Sequence, residues 1–176
     1  MPEHPDFELL VMVHLDAGYN LARWLARDAQ DAEDVVQDAC LRALRYIDSL
    51  HGDGRAWFLT IVRRAFYDWL ARNRPAALVW DEERVDSAID PADGPEQALA
   101  RKTEGLALAD AVAQLPLPFR EVIILRELEE LSYKEIARIA DIPIGTVMSR
   151  LARARRMLQC SAALRPLGGC TSESER

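Results

Sequence analysis

Residues 132–158 read SYKEIARIADIPIGTVMSRLARARRML, and the fold follows from this stretch. Ser132, Tyr133, Lys134 and Glu135 fit a reciprocal capping box, in which hydroxyl and carboxylate each satisfy an otherwise orphan amide at a helix start. The helix it opens puts Ile136, Ala137, Ile139 and Ala140 on its apolar side. Asp141, Ile142 and Pro143 then force a short turn, because proline cannot continue the preceding helix. A second helix begins at once, with Val147, Leu151, Ala154 and Leu158 on one stripe facing a core. The outward set is Thr146, Met148, Ser149, Arg150, Ala152, Arg153, Arg155 and Arg156, with four arginines and no acid between residues 144 and 158. A capped short helix, a tight turn and an arginine-rich helix make a helix-turn-helix. Its second helix carries hydrogen-bonding groups at the end that reaches base edges and guanidinium groups for phosphates and guanine. An ordinary solvated helix face is the competing reading, weakened by the absence of any relieving acid.

Upstream, helical periodicity runs from Leu106 to the break at Leu115, Pro116, Leu117 and Pro118, then continues toward Ser132. Before it lies a stretch with Pro75, Pro91, Gly94 and Pro95, and residues 75–104 hold eight acidic against three basic residues. That composition predicts a flexible acidic linker. Farther upstream, Val36, Ala39, Ala43, Leu44 and Ile47 recur at helical spacing in a helix capped near Asp31. Trp57, Ile61, Ala65 and Trp69 recur at strict intervals of four in another, and residues 7–25 read as one or two more. Such helices can bury their faces only against each other. The expected fold is all-α: an N-terminal bundle over residues 1–74, the linker over 75–104, a helix-turn-helix domain over 105–160 and a frayed tail over 161–176.

Composition sets bounds consistent with this. Of 176 residues, 49% are hydrophobic, but only 8 are glycine and 7% aromatic, which argues against a sandwich or barrel of short strands. No apolar run reaches membrane-spanning length and the first eight residues do not resemble a leader, so the expectation is a cytoplasmic chain with no membrane insertion. Cys40, Cys160 and Cys170 show no paired spacing and no nearby histidine cluster, so neither a disulfide framework nor a zinc site is expected. The net charge of −7 counts against a nucleic-acid partner until it is resolved by position. Much of the excess acid sits in the linker, while residues 55–74 carry five arginines against Asp68. Two basic surfaces survive in an acidic chain.

The run Leu115 and Pro116, Phe119 to Val122, Leu125 and Arg126, Glu129, Leu131 to Ala137, Gly145 to Val147, Ser149 to Leu151 and Arg153 to Arg155 resembles the promoter −35-binding domain of bacterial extracytoplasmic-function sigma factors, in the sigma-70 family. Asp31 to Asp38, followed by Leu41, Arg42 and Ala43, resembles the core-polymerase-binding helix of that group, and residues 57–74 resemble its −10-binding segment. The likeness covers about residues 20–74 and 106–158, in the family's order.

The resemblance implies a promoter-specificity subunit of RNA polymerase rather than an enzyme, with core RNA polymerase and promoter DNA as partners and an anti-sigma factor holding it inactive. No cofactor and no metal are implied. Asp34, Gln37, Asp38, Leu41 and Arg42 would face the polymerase, where an acidic, amide-bearing face suits a basic partner helix. Thr146, Met148, Ser149, Arg150, Arg153 and Arg156 would read the −35 element. For the −10 element, capture of an unstacked base calls for planar side chains beside positive charge. Trp57, Phe58, Phe66, Tyr67 and Trp69 are interleaved there with arginines. Since the two tryptophans belong to the periodic core stripe, Arg55, Arg63, Arg64, Tyr67, Arg72 and Arg74 are the expected contacts. Arg64 stands where the family commonly has asparagine, and Met148 where an arginine is frequent, so both base preferences stay open. The linker is either a solvated spacer or a segment threading the polymerase channel. A metal site from Asp31, Glu33, Asp34 and Asp38 is disfavoured because no histidine or second carboxylate group completes it. A self-standing helix-turn-helix regulator and an all-helical adaptor are the competing functions.

Overall fold

A computed structural model describes residues 11–50, 52–78 and 104–161, and every regular element among them is helical. The longer helices are α1 (Leu15–Ala26), α2 (Ala29–Tyr46), α3 (Gly54–Asn73), α4 (Glu104–Gln114), α5 (Leu117–Ile123), α6 (Tyr133–Ala140) and α7 (Ile144–Cys160). Most of the expected acidic linker and all but the first residue of the expected tail, Cys170 included, lie outside the described residues. At the start of the linker Pro75–Leu78 forms a short 3-10 turn, and Cys160 is the last residue of α7.

Local chemistry sets the boundaries of the first three helices. α1 ends where Arg27 turns left-handed, φ 65°, and returns its N–H to the Arg23 carbonyl. Asp28 then caps α2 by accepting from the amides of Gln30 and Asp31 at 2.9 and 3.0 Å. The sequence places this cap near Asp31; the side chain of Asp31 instead meets Arg74 at 3.3 Å. Asp53 caps α3 through the amides of Arg55 and Ala56.

α1, α2 and α3 pack on one another, and α3 also packs against α6. Contact on two sides explains why α3 buries Phe58, Leu59, Val62, Phe66 and Leu70 beyond the expected Ile61 and Ala65, while Trp57 and Trp69 are only half-buried at the rim. In the C-terminal group α5 and α6 hold α7 through Val147, Leu151 and Ala154. The capping box is formed: Glu135 N–H donates to Ser132 Oγ at 3.3 Å and Ser132 N–H to Glu135 Oε2 at 2.7 Å. Asp141 takes a left-handed conformation, φ 55°, so that Ile142 N–H reaches the Ala137 carbonyl before Pro143 begins the next helix. The buried apolar residues of both groups form one contiguous cluster, and α1 also touches α5.

Candidate nucleic-acid interface and the seam beside it

On α7 the burial of Val147, Leu151 and Ala154 turns the intervening positions outward. Met148, Ser149 and Arg156 are exposed, and Thr146, Arg150 and Arg153 are partly covered. Ser149 Oγ donates to the Thr146 carbonyl at 3.1 Å, which fixes the hydroxyl at the helix start. Arg155 is tied to Glu127 at 2.7 Å. Leu158, expected in the core, is partly buried at its edge.

The set expected to face polymerase lies on one side of α2, since positions 34, 37, 38 and 41 follow the helical repeat. Asp34, Gln37 and Leu41 are exposed; Arg42 bridges Asp38 at 2.8 Å and Asp68 of α3 at 2.5 Å, joining two helices. Leu44, expected in the core, is exposed. With Leu15, Val36, Cys40 and Leu41 it lines a shallow apolar groove beside the acidic face.

The six residues expected at the −10 element divide into two sets. Arg64, Arg72 and Arg74 are exposed along α3, with Arg74 also over the Trp69 ring. Arg55, Arg63 and Tyr67 instead point into the seam between the two helical groups. Arg63 Nε donates to Glu121 Oε1 at 2.5 Å, and its guanidinium lies 4.5 Å from the centre of the Tyr67 ring. Tyr67 Oη donates to Glu121 Oε2 at 3.3 Å. Arg55 donates to the carbonyl of Glu129 at 2.8 Å and to its Oε2 at 2.5 Å, and Asn20 Nδ2 donates to Oε1 of the same carboxylate at 2.7 Å. Phe58 and Phe66, also in the aromatic-arginine run, are fully buried, which removes them from any contact with bases.

Three charged residues of the C-terminal group close this seam. Glu121 is 1% exposed, Glu129 4% and Arg120 6%. Arg120 donates to the carbonyls of Ala113 and Leu115, just past α4, and to that of Leu25 in the last turn of α1. A cation is thereby placed where helix carbonyls lack partners. Its burial, with Arg27 nearby, lowers its pKa to about 10, so it remains charged at neutral pH. Burial pushes the Glu121 carboxyl up despite Arg63, and burial with the Glu121 charge pushes the Tyr67 phenol up. A π-helical turn, Ile124–Leu128, in which Glu129 N–H returns to the Ile124 carbonyl, brings Glu129 to the seam.

Sequence reasoning assigned no role to Arg120, Glu121 or Glu129, although a signal was present. Arg120 and Glu121 interrupt an apolar run from Phe119 to Leu125, and charges inside such a run need partners. Which partners they take depends on α1 and α3, far away in the chain.

Among the described residues no group of three or more histidine, cysteine or carboxylate side chains is placed to hold a metal, and no helix is long and apolar enough to cross a membrane. Residues 10–75 match the model for sigma-70 region 2, and residues 105–158 that for sigma-70, region 4. The RNA polymerase sigma-H factor of Pseudomonas aeruginosa is 33% identical over 92% of this chain and 87% of its own length. The extracytoplasmic-function (ECF) RNA polymerase sigma-E factor of Haemophilus influenzae is 34% identical over 79% and 77%. Among solved structures, the sigma factor RpoE from Bartonella quintana, in complex with the anti-sigma factor NepR, superposes with a TM-score of 0.68 at 30% identity, covering 88% of this chain and 94% of that one. CnrH, in complex with the cytosolic domain of CnrY, superposes with a TM-score of 0.63 at 26% identity over 92% and 89%.

Proposed function

Because the chain belongs to the extracytoplasmic-function group of the sigma-70 family, we propose that it is an alternative sigma factor that binds core RNA polymerase and directs it to particular promoters under the control of an anti-sigma factor. The observation that carries this reading is the presence, in order on one chain, of region 2 and of a region 4 helix-turn-helix whose second helix turns Met148, Ser149 and Arg156 to solvent. A free-standing regulator has no use for the first. The protein supplies recognition and leaves catalysis to the polymerase, working in the cytoplasm where its template lies.

Residues 1–74 and 105–160 are its two working domains and residues 75–104 their connection. On α7, Thr146, Met148, Ser149, Arg150, Arg153 and Arg156 take the −35 duplex, with the residues of the first turns nearest to base edges. Along α3, Arg64, Arg72 and Arg74, together with Arg55, Arg63 and Tyr67 once freed, take the −10 element. Asp34, Gln37, Asp38, Leu41 and Arg42 meet core polymerase. Each contact is modest alone, and tethering on the polymerase multiplies them. The regulatory partner follows from the solved relative held by an anti-sigma factor. The test is transcription from promoter fragments by purified core polymerase, with and without the protein. Initiation at defined start sites only in its presence is the expected result, and no stimulation would overturn the assignment.

A further inference from the structure

Two cavities lie side by side where α1 meets the C-terminal group, and Trp24 and Ala109 line both. One, of about 430 Å³, is walled by Leu108 and Val112 of α4, by Ile123, Ile124 and Leu128 at the π-helical turn, and by Leu158 of α7. Its charged lining is the Glu127 and Arg155 pair, whose charges cancel. Leu108 and Leu128 remain 47% exposed, so this apolar cavity opens to solvent. The other, of about 460 Å³, is lined by Arg23 and Arg27, four positions apart at the end of α1, and by Asp110 and Ala113 of α4. Both volumes fall within the ~300–1,000 Å³ of small-molecule sites. Among the described residues neither Arg23 nor Arg27 takes an ion pair or a side-chain hydrogen bond. The charge of Arg27 also bears on the buried Arg120. Asp110 offsets one of these charges and pairs with none of them, and cations gathered without a counter-ion attract an anion. Solvated arginines alone would need no ligand; these border an open apolar cavity that shares their wall.

We propose that the two cavities form one binding site for a small amphipathic anion, its apolar body among Leu108, Val112, Ile124 and Leu158 and its single anionic head on Arg23 and Arg27. A medium-chain carboxylate has this chemistry. Seating the body removes apolar surface of ligand and protein from water. The head gains charge-assisted hydrogen bonds from guanidinium groups that are exposed, so little desolvation opposes them. Selectivity for the head follows from the same residues. An ammonium would meet two like charges, and a hydroxyl would forgo the charge-assisted bonds. The π-helical turn, a feature that recurs at functional sites, supplies Ile124, Glu127 and Leu128 to the wall. Because α1 and the C-terminal helices both contribute, occupancy stabilises their packing and raises the melting temperature.

Calorimetric titration of the free full chain with decanoate, below its micelle-forming concentration, tests this, with thermal melts beside it. One decanoate should bind per chain and raise the melting temperature, and decan-1-ol and decyltrimethylammonium should bind at least about tenfold more weakly. Arg23→Gln combined with Arg27→Asn removes both cations and keeps at position 27, where φ is 65°, a residue that tolerates the left-handed conformation. This pair should weaken decanoate at least about tenfold and leave decan-1-ol unchanged. Leu108→Asp, at an exposed position of the apolar wall, should weaken both ligands. No saturable binding, equal affinity for the three head groups, or binding indifferent to these variants overturns the proposal. Decanoate binding only by a chain cut after Cys160 would make residues 161–176 the occupant, and binding coupled to dissociation of a dimer in sedimentation would make it a second copy; either result overturns the small-anion site. None of the variants alters a residue assigned to DNA or polymerase, and no polymerase is present, so the outcome is independent of the sigma assignment.

Discussion

Gly18 lies in the middle of α1, where an alanine would ordinarily favour the helix by up to about 1 kcal/mol. A β-carbon built there would come within 2.5 Å of the Phe58 ring, and that ring is fully enclosed. Gly18→Ala should therefore lower stability by about 1–3 kcal/mol, visible as a reduced melting temperature; an increase would mean that Phe58 can move aside. Glu135 shows a different dependence. Hydrogen bonds from Ser132 hold its carboxyl below the ordinary value of 4.5, so the folded helix-turn-helix favours the ionised form. The contribution of this group is complete above the ordinary value and fades as pH falls through the lower folded value. Glu135→Gln should flatten that acid limb in thermal melts between about pH 3 and 6, with little change in shape. Arg153 lies outside the Val147, Leu151 and Ala154 stripe and is proposed as a phosphate contact. Arg153→Ala should reduce the slope of log affinity against log salt on a −35 duplex by about 0.9. An unchanged slope and affinity would exclude it from the interface.

At the scale of elements, periodicity found what it could see. The stripe on α7 and the cap of α6 depend on spacings within a few residues; the cap appears as read, and the stripe does so through Val147, Leu151 and Ala154, with Leu158 only partly buried at its end. α3 shows where the method fails. Its strict four-residue stripe captured Ile61 and Ala65 but missed Phe58, Val62 and Phe66, because a helix enclosed from two sides carries no single apolar face. α2 shows the reverse. Leu44 fits the helical repeat yet is exposed at the rim of a groove that it shares with Leu15 of α1. With Leu41, 57% exposed, it gives the acidic face an apolar flank suited to a partner helix. Leu41→Glu should weaken capture of core polymerase at least about tenfold while leaving the melting temperature and −35 duplex binding unchanged. Undiminished capture would move the polymerase contact elsewhere.

For the molecule as a whole, the joining of the two helical groups sets the response to pH. Glu121 faces Arg63 and Tyr67 of α3 and the charge of Arg150 on α7, and burial raises its carboxyl above the ordinary value of 4.5. The closed arrangement therefore binds a proton more readily than an open chain does. Its contribution to closure is complete below the ordinary value and is lost as pH rises through the raised one. Scattering across that range should show the chain more compact on the acid side wherever the fold persists. Glu121→Gln, which cannot titrate, should abolish the trend, and an unaltered trend would assign it to another group.

Much of the plan lies within reach of local rules. Caps, turns, apolar repeats and the sorting of arginines away from acids involve residues a few positions apart, so the sequence by itself determined an all-α chain, the helix-turn-helix, its outward face and the resemblance that joins both halves. What lies across the seam is of another kind. Arg63 and Glu121 are separated by 58 positions and Arg55 and Glu129 by 74, and no periodicity connects residues so far apart. The resemblance and the aromatic-arginine pattern mark Arg55, Arg63 and Tyr67 as contacts for the −10 element. Only the packing of α5 and α6 against α1 and α3 decided that carboxylates of the same chain stand there, because burial obliges each charge to take the partner that tertiary structure provides.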